Sequence, residues 1–205
     1  MPTMTGAEAL LEQVLANGVD TIFGLPGGQL DPFFDAMYHA GSRLKYVGAR
    51  HEQGAGYMAF GYARSTGRIG TYAVVPGPGV LNTTAALSSA YAVNAPVLCL
   101  TGQIPAWAIG RGIGMLHEIP DQLAVLKGLT RWASRIDSVA QAPTLVNAAF
   151  ARLNSGRRGP HALEMACDVM AGSGEASLLP SAAALANPEV DTNAVERAVA
   201  LLRKA

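Results

Sequence analysis

The sequence predicts an α/β fold in which a doubly wound, mainly parallel sheet of about six strands carries helices on both faces. Short strand-like runs alternate along the chain with helical segments, and parallel strands need such crossover connections. Half of the 205 residues are apolar, so the chain is able to bury a full core. Ligands of such sheets bind at the carboxyl ends of the strands, and we therefore expect the functional residues at that edge.

The first half of the predicted domain begins with a capped helix. Thr5 and Glu8 have the spacing of a capping box, and apolar residues follow at helical spacing until the helix ends near Gly18. The next elements in chain order are a strand over residues 21–25, a helix over 30–40, a strand around Tyr46 and Val47, and a helix that begins at Glu52.

The second half continues the same alternation. Strands are predicted over residues 71–75 and 97–101, near Trp132 and Ala133, and over 162–165, with helices over 82–94, 123–129 and 143–154. These elements complete one predicted domain over residues 1–170.

The remainder of the chain differs in composition. Residues 171–190 are rich in Ala, Ser, Gly and Leu without a clear period, which indicates a linker. A final helix over 191–205 carries an apolar stripe, including Val195 and Val199, that must pack on something. Two interpretations stay open: this is the first helix of a truncated central domain, or it folds back on the first domain.

Charge and cysteine content exclude several classes of function. A formal net charge of zero without a basic run argues against nucleic acid as a partner. The N-terminal residues do not form a signal peptide, and polar or breaking residues interrupt every apolar stretch, so we expect a cytoplasmic protein without a membrane partner. Cys99 and Cys167 stand alone in apolar segments and are predicted to be buried free thiols, and no metal site is predicted.

Four familiar motifs do not match. The glycines of Gly110–Gly114 have the wrong spacing for a dinucleotide-binding turn, and no phosphate loop or nucleophile elbow occurs. The position four residues after His51 is Ala55, so the second ligand of a zinc-protease helix is missing.

Three strand ends carry distinctive residues instead. They read Pro26-Gly27-Gly28, His51-Glu52-Gln53 and Gly77-Pro78-Gly79. Glycine allows a ligand to approach the main chain closely and proline stiffens the turn. Any α/β fold needs such turns, so each motif alone carries little weight, but together they predict a ligand site at one edge of the sheet.

Glu52 is the acidic residue of this set. It leads from a strand end into a helix that is apolar nearly all round, so we expect it in a poorly solvated place. Two explanations stay open at this point. The carboxylate complements the helix dipole, or it takes part in chemistry.

Several motifs stand in one order along most of the chain. They are Phe23–Gly28, Arg50–Gly56, Gly61–Arg64, Gly77–Gly79 with Asn82, and Pro96–Pro105. Together they resemble the N-terminal pyrimidine-binding domain of thiamine diphosphate enzymes, and most of all the acetolactate synthase large subunit. The resemblance runs from about Thr5 to about Val169.

The resemblance implies roles for matching residues. Glu52 corresponds to the glutamate that hydrogen-bonds a pyrimidine nitrogen of the cofactor and thereby promotes formation of the nucleophilic ylide. Pro78 and Asn82 correspond to positions near the pyrimidine ring. The turn Pro26-Gly27-Gly28 corresponds to one beside the reacting end of the cofactor.

Three positions depart from the acetolactate synthase pattern. Leu116-His117-Glu118 stands where these enzymes usually have Phe-Gln-Glu, Gln29 where many relatives carry Ala, and Phe60 where many carry Glu. His117 is either an acid-base group near the acyl-acceptor site or a space-filling side chain.

The resemblance implies an enzyme that decarboxylates a pyruvate-like 2-oxo acid and transfers the two-carbon unit to a carbonyl acceptor. A related 2-oxo acid decarboxylase, an aldehyde lyase and a non-catalytic partner subunit are the alternatives. The family binds the cofactor's diphosphate through magnesium and a Gly-Asp-Gly motif in another domain, and this chain has no such motif. The active site of the family lies between subunits, so we expect a homodimer or a higher homo-oligomer.

Overall fold

The computed structural model describes residues 2–186 and 189–205. Its strands are β1 (Thr3–Thr5), β2 (Thr21–Gly24), β3 (Lys45–Gly48), β4 (Gly70–Val74), β5 (Val97–Gln103), β6 (Trp132–Ile136), β7 (His161–Ala166) and β8 (Ser173–Glu175). Its α-helices are α1 (Gly6–Ala16), α2 (Asp31–Ala40), α3 (Glu52–Thr66), α4 (Pro78–Asn82), α5 (Thr84–Ala92), α6 (Gln122–Leu129), α7 (Ala142–Leu153), α8 (Cys167–Ala171) and α9 (Thr192–Leu202).

The main sheet has six parallel strands in the order β3-β2-β4-β5-β7-β6. Its two faces are covered by different helices. Leu98 and Leu100 of β5 join a core with α1, α2 and α7, whereas Val97 and Cys99 of the same strand join a core with α3, α5 and α6. Successive side chains of a strand point to opposite faces, so alternation along β5 supplies both cores. The predicted doubly wound α/β fold is confirmed.

Helix α3 approaches the sheet unusually closely. A Cβ atom added to Gly70 of β4 would lie 1.9 Å from the carbonyl oxygen of Ala59, so glycine is required where the two backbones meet. Gly56 faces α5 in the same way, since an added Cβ would lie 2.9 Å from the Cβ of Ala86. Small residues therefore fix the position of α3, and with it the position of its first residue, Glu52.

Two local predictions have different outcomes. The capping box of α1 is confirmed, because the Thr5 hydroxyl accepts from the Glu8 amide at 3.1 Å and the Glu8 carboxylate accepts from the Thr5 amide at 2.7 Å. The helix predicted over 82–94 is present as α5 (Thr84–Ala92), two residues shorter at each end, and the short α4 before it was not predicted. Two helices, α4 and α5, meet at Thr83, whose hydroxyl donates to the Val80 carbonyl and accepts from Tyr72 within the core.

The residues after α8 are attached to the domain. Strand β8 pairs antiparallel with β1, inside the segment that the sequence indicated as a linker. Beyond it, the Gln13 side chain makes hydrogen bonds of 3.0 and 2.8 Å with the backbone of Leu179, and Asn17 accepts from the Ala182 amide at 2.8 Å. Short polar strands and backbone contacts to distant side chains leave no periodic pattern, which explains why the sequence did not indicate them.

Helix α9 contrasts with this attachment. None of its residues is buried, and Val195 and Val199 of its apolar stripe are 51% and 41% exposed. None of the described helices combines the length and the apolar character needed to cross a membrane.

The cysteines are both free thiols. Cys99 is buried, as predicted, and burial raises the pKa of its thiol to about 12. Cys167 is only half-buried, because it begins α8 at the carboxyl end of β7 rather than lying within a strand.

One ion pair lies partly inside the sheet. The Glu164 side chain of β7 is 0% exposed, and its carboxylate accepts from the Arg135 Nε of β6 at 2.6 Å. The same carboxylate accepts from the Gln122 amide at 2.8 Å. A buried carboxylate needs such partners, since removing one leaves its charge uncompensated.

We predict that Arg135→Met lowers the free energy of unfolding by about 3–5 kcal/mol, because it leaves the Glu164 carboxylate buried without a cation. Urea denaturation measures the change. The matched control is Arg43→Met, which removes an ion pair with Glu12 whose side chains are 54% and 31% exposed. The control is expected to cost about 1 kcal/mol or less. Equal losses in the two variants would contradict the assigned role of the buried pair.

Candidate functional site

The three distinctive strand ends lie at one edge of the sheet. Strands β3, β2 and β4 are neighbours and parallel, so the turns that follow them are adjacent. The Ala49 amide after β3 donates to the Gly24 carbonyl of β2 at 2.8 Å, and the Leu25 amide after β2 donates to the Ala73 carbonyl of β4 at 3.3 Å. The edge is therefore held together by backbone hydrogen bonds beyond the strand ends themselves.

Glu52 occupies the first position of α3. His51 caps this helix, its Nδ1 accepting from the Gln53 amide at 3.2 Å. The Glu52 side chain is half-buried rather than enclosed, and its Oε2 accepts from Asn82 Nδ2 at 3.0 Å. Its partner is thus a neutral amide from α4, which orients the carboxylate without neutralising its charge.

The turn after β4 brings Asn82 to this place. Gly77 has φ +57°, a left-handed conformation that favours glycine, and Pro78 begins α4. A Cβ added to Gly79 would lie 3.7 Å from the Glu52 Cγ, so the start of α4 passes close to the glutamate stem. The structure therefore brings together Glu52, Asn82 and the turn that contains Pro78.

The turn after β2 forms the adjacent wall. A Cβ added to Gly27 would lie 2.5 Å from Val75 Cγ1, so this turn packs directly on the end of β4. Gly28 differs, because apart from its two chain neighbours no residue has an atom within 4 Å of the position that its Cβ would occupy. Pro26 is exposed in the same turn. An exposed glycine with open space beside it gives a ligand access to the main chain.

A glycine-containing loop over residues 110–118 covers the turn after β4. The Glu118 carboxylate accepts from the backbone amides of Gly112, Gly114 and Met115 at 3.0, 2.7 and 2.9 Å. The hydrogen bond from Met115, followed by those from the other amides, lowers the pKa of Glu118. One ionised side chain thus holds the fold of the loop.

His117 lies near the end of this loop. Its own backbone has φ +69°, and a Cβ added to Gly77 would lie 2.3 Å from its carbonyl oxygen. Its Nδ1 is 2.9 Å from Oε1 of Gln29, the residue after Gly28. Within the described part of the chain, His117 and Glu52 make no hydrogen bond with each other.

Gln122 is a structural contributor that the sequence analysis missed. Its buried amide accepts from the Gly77 amide at 2.8 Å and donates to the Gly102 carbonyl at 2.9 Å and to Glu164 at 2.8 Å. The only signal in the sequence is a polar residue after the helix-capping Asp121, which is too common to single it out.

The residues at this edge suit the pyrimidine end of a cofactor such as thiamine diphosphate. A carboxylate with an accessible oxygen matches the ring nitrogen of an aminopyrimidine, and the space beside Gly28 leaves room for a ring. Over residues 2–186 and 189–205, no three His, Cys, Asp or Glu side chains gather as a metal ion requires.

Comparison with known proteins points to the same cofactor. The family model described as thiamine pyrophosphate enzyme, N-terminal TPP binding domain, matches residues 4–125. The chain is 37% identical over 168 residues to the mitochondrial acetolactate synthase catalytic subunit of Saccharomyces cerevisiae. It is 36% identical over 172 residues to the acetolactate synthase isozyme 2 large subunit of Escherichia coli, and 38% identical over 169 residues to a probable 2-ketoarginine decarboxylase, AruI, of Pseudomonas aeruginosa.

These matches cover most of this chain but a small part of each relative. They span 82%, 84% and 82% of the chain, and 24%, 30% and 30% of the relatives in the order given. The chain therefore corresponds to less than a third of the length of these proteins.

We predict that Glu118→Gln weakens the loop over residues 110–118, because the neutral amide is a poorer acceptor for three backbone N–H groups. Hydrogen exchange of the Gly112, Gly114 and Met115 amides measures the loss of protection. In the unchanged chain the lowered pKa of Glu118 means that this protection is present above the carboxyl's unfolded pKa and is lost as pH falls through its folded value. The exposed Glu175→Gln serves as control, and protection that is unchanged in Glu118→Gln would contradict the assignment.

Proposed function

The chain belongs to the thiamine pyrophosphate enzyme family through its N-terminal TPP-binding domain, and we propose that it forms the pyrimidine-binding portion of an acetolactate synthase-like enzyme. The complete enzyme would decarboxylate a pyruvate-like 2-oxo acid and transfer the two-carbon unit to a carbonyl acceptor. The observation that carries the proposal is the Glu52 carboxylate, oriented by Asn82 at the edge where Gly28 leaves open space.

We assign a role to each of these residues at the carboxyl edge of the sheet. Glu52 hydrogen-bonds the pyrimidine ring, and Asn82 fixes the direction of its carboxylate. Gly27 and Gly28 let the ligand approach the main chain, while Pro26 and Pro78 stiffen the two turns around it. Thiamine diphosphate supplies the carbon nucleophile and the electron sink for decarboxylation. The helix-dipole explanation of Glu52 is compatible with this role, since the N-terminus of α3 favours a negative charge.

His117 is the proposed acid-base residue on the acyl-acceptor side. Its loop lies over Gly77, directly before Pro78, so the imidazole belongs to the same edge of the sheet as Glu52. An imidazole ring is able to accept and donate a proton, which the amide of the glutamine usual at this position cannot do.

The remaining parts of the enzyme are proposed to lie outside these residues. Magnesium and the diphosphate would be bound by another domain, supported by the small share of each relative that the chain covers. We propose domain limits of 1–170, 171–190 and 191–205, with α9 as the first helix of a central domain. Its exposed apolar stripe supports this division. A cytoplasmic location stays a prediction.

A second subunit is proposed to cover α3. Tyr57 on this helix is 39% exposed, and its ring stacks edge-on against the half-buried Phe60 at 6.3 Å. Apolar and aromatic side chains beside a polar edge suit an interface between copies of the enzyme. A homodimer or higher homo-oligomer would then place another subunit's diphosphate-binding domain opposite Glu52.

A 2-oxo acid decarboxylase is the second candidate. The probable 2-ketoarginine decarboxylase of Pseudomonas aeruginosa is as similar to the chain as the acetolactate synthases are. Such an enzyme would release the decarboxylated unit as an aldehyde instead of joining it to a carbonyl acceptor. Product analysis with pyruvate and larger 2-oxo acids distinguishes the two, since carboligation gives a hydroxy-ketone skeleton and decarboxylation gives an aldehyde.

We predict that Glu52→Gln lowers the thiamine diphosphate-dependent rate by roughly a hundred- to ten-thousand-fold, because the amide cannot exchange a proton with the ring. Consumption of the 2-oxo acid by the chain, combined with a separately expressed diphosphate-binding portion, measures the rate. The control is Asp35→Asn, which removes a charge of the same sign from a side chain that is 73% exposed on α2. An unchanged rate in Glu52→Gln would refute the assignment.

Calorimetric titration with thiamine diphosphate and magnesium tests the division of the site. Binding that requires the diphosphate-binding portion and weakens in Glu52→Gln is expected. Tight binding to the chain alone would contradict the proposed external magnesium site, and no binding in either condition would contradict the proposed cofactor.

A further inference from the structure

Two of the positions that depart from the acetolactate synthase pattern contact each other. Gln29 follows the open turn after β2, and His117 lies 88 residues later in the loop that covers the turn after β4. Gln29 Oε1 and His117 Nδ1 are 2.9 Å apart, and Gln29 Nε2 donates to the Leu116 carbonyl at 3.2 Å. The two departures therefore form one unit across the edge of the sheet.

The second hydrogen bond determines which atom of Gln29 faces the histidine. If the amide were reversed, its oxygen would face the Leu116 carbonyl oxygen, and two acceptors would repel each other. In the observed orientation Oε1 faces Nδ1, and an amide oxygen only accepts. Nδ1 of His117 must therefore carry the proton of the neutral ring, which leaves the lone pair on Nε2.

Both members of the pair are held in place. The carbonyl of His117 packs against Gly77, and its loop is held by Glu118. The carbonyl of Gln29 packs against β5, since a Cβ added to Gly102 would lie 2.9 Å from it. Within the described residues, Nε2 of His117 makes no hydrogen bond. The ring is thus fixed through Nδ1, with its opposite nitrogen available to a ligand.

We propose that Gln29 is a positioning residue that holds His117 in the Nδ1–H tautomer and presents Nε2 as a hydrogen-bond acceptor to the substrate. The proposal rests on the proposed function for the statement that a substrate binds at this edge. It identifies the substrate chemistry that the pair favours, an O–H or N–H donor on the molecule that meets His117. The residues usual in acetolactate synthases, glutamine at position 117 and alanine at position 29, include no imidazole and no amide to orient one.

Two other histidines provide references within the same molecule. His51 Nδ1 accepts from the Gln53 amide, so His51 must carry its proton on Nε2. His161 Nδ1 lies 3.1 Å from the Gly159 carbonyl, which requires a proton on Nδ1. Burial lowers the pKa of His161 to about 4, so this ring is neutral at neutral pH. The chain thus contains one reference for each tautomer.

The experiment is a long-range ¹H–¹⁵N correlation spectrum of the 205-residue chain with ¹⁵N-labelled histidine, at mildly alkaline pH. In the unchanged chain we expect His117 to show the pattern of His161, with Nδ1 protonated. In Gln29→Leu, which removes the acceptor but keeps the approximate side-chain volume, we expect it to change to the pattern of His51. Gln29→Glu keeps an acceptor and is expected to restore the Nδ1–H pattern.

The tautomer of His117 in each spectrum either supports or overturns the proposal. An Nε2–H pattern for His117 in the unchanged chain, or an Nδ1–H pattern retained in Gln29→Leu, would overturn it. Unchanged signals of His51 and His161 show that a variant is folded. If Gln29→Leu does not fold, the spectra of the unchanged chain and of Gln29→Glu still decide. The measurement needs no cofactor, so its result is independent of whether the proposed function is correct.

A kinetic measurement then tests the substrate chemistry. With the complete enzyme, Gln29→Leu is expected to lower kcat/KM roughly tenfold for a substrate that carries the donor, the equivalent of one lost hydrogen bond. A matched substrate without the donor cannot make that hydrogen bond, and it is expected to lose less. Equal losses for both substrates would overturn the assignment of the donor while leaving the tautomer result in place.

Discussion

The buried amide of Gln122 connects the parts of the molecule on which the candidate site depends. This one side chain hydrogen-bonds the Gly77 amide after β4, the Gly102 carbonyl of β5 and the Glu164 carboxylate of β7. The Gln122 side chain accepts from the amide of Gly77, and Gly77 lies in the turn that leads to α4. Because Gly77 also supports the backbone of His117, the position of that loop depends on the same hydrogen bond. The site is therefore built on a polar network inside the sheet, where an unpaired group would be costly.

Close packing supplies the second constraint. The backbones of α3 and β4 meet where Gly70 faces Ala59, which leaves α3 little freedom to slide along the sheet. Glu52, as the first residue of that helix, takes its position from this contact, and the Asn82 amide then sets the direction of its carboxylate. A rigid helix and a polar neighbour thus share the task of orienting one side chain.

The parts that sequence reasoning predicted are those that depend on local patterns. The alternation of strands and helices predicted the sheet, and Thr5 with Glu8 predicted the capped start of α1. The parts that it missed depend on contacts between distant residues. The pairing of β1 with β8, the break at Thr83, the position of Gln122 and the contact between Gln29 and His117 arise only after the chain has folded. Periodicity contains no information about such partners.

The small ladder between β1 and β8 has a consequence for how the molecule folds. Its two strands have three residues each; β1 begins the proposed domain and β8 lies in the segment that follows it. Such short strands are too weak to offset the entropy of closing so long a loop by themselves. We therefore expect the intervening sheet to form first and the ladder's amides to gain protection late during refolding. Protection of these few amides would thus show when the segment after α8 has docked on the folded sheet.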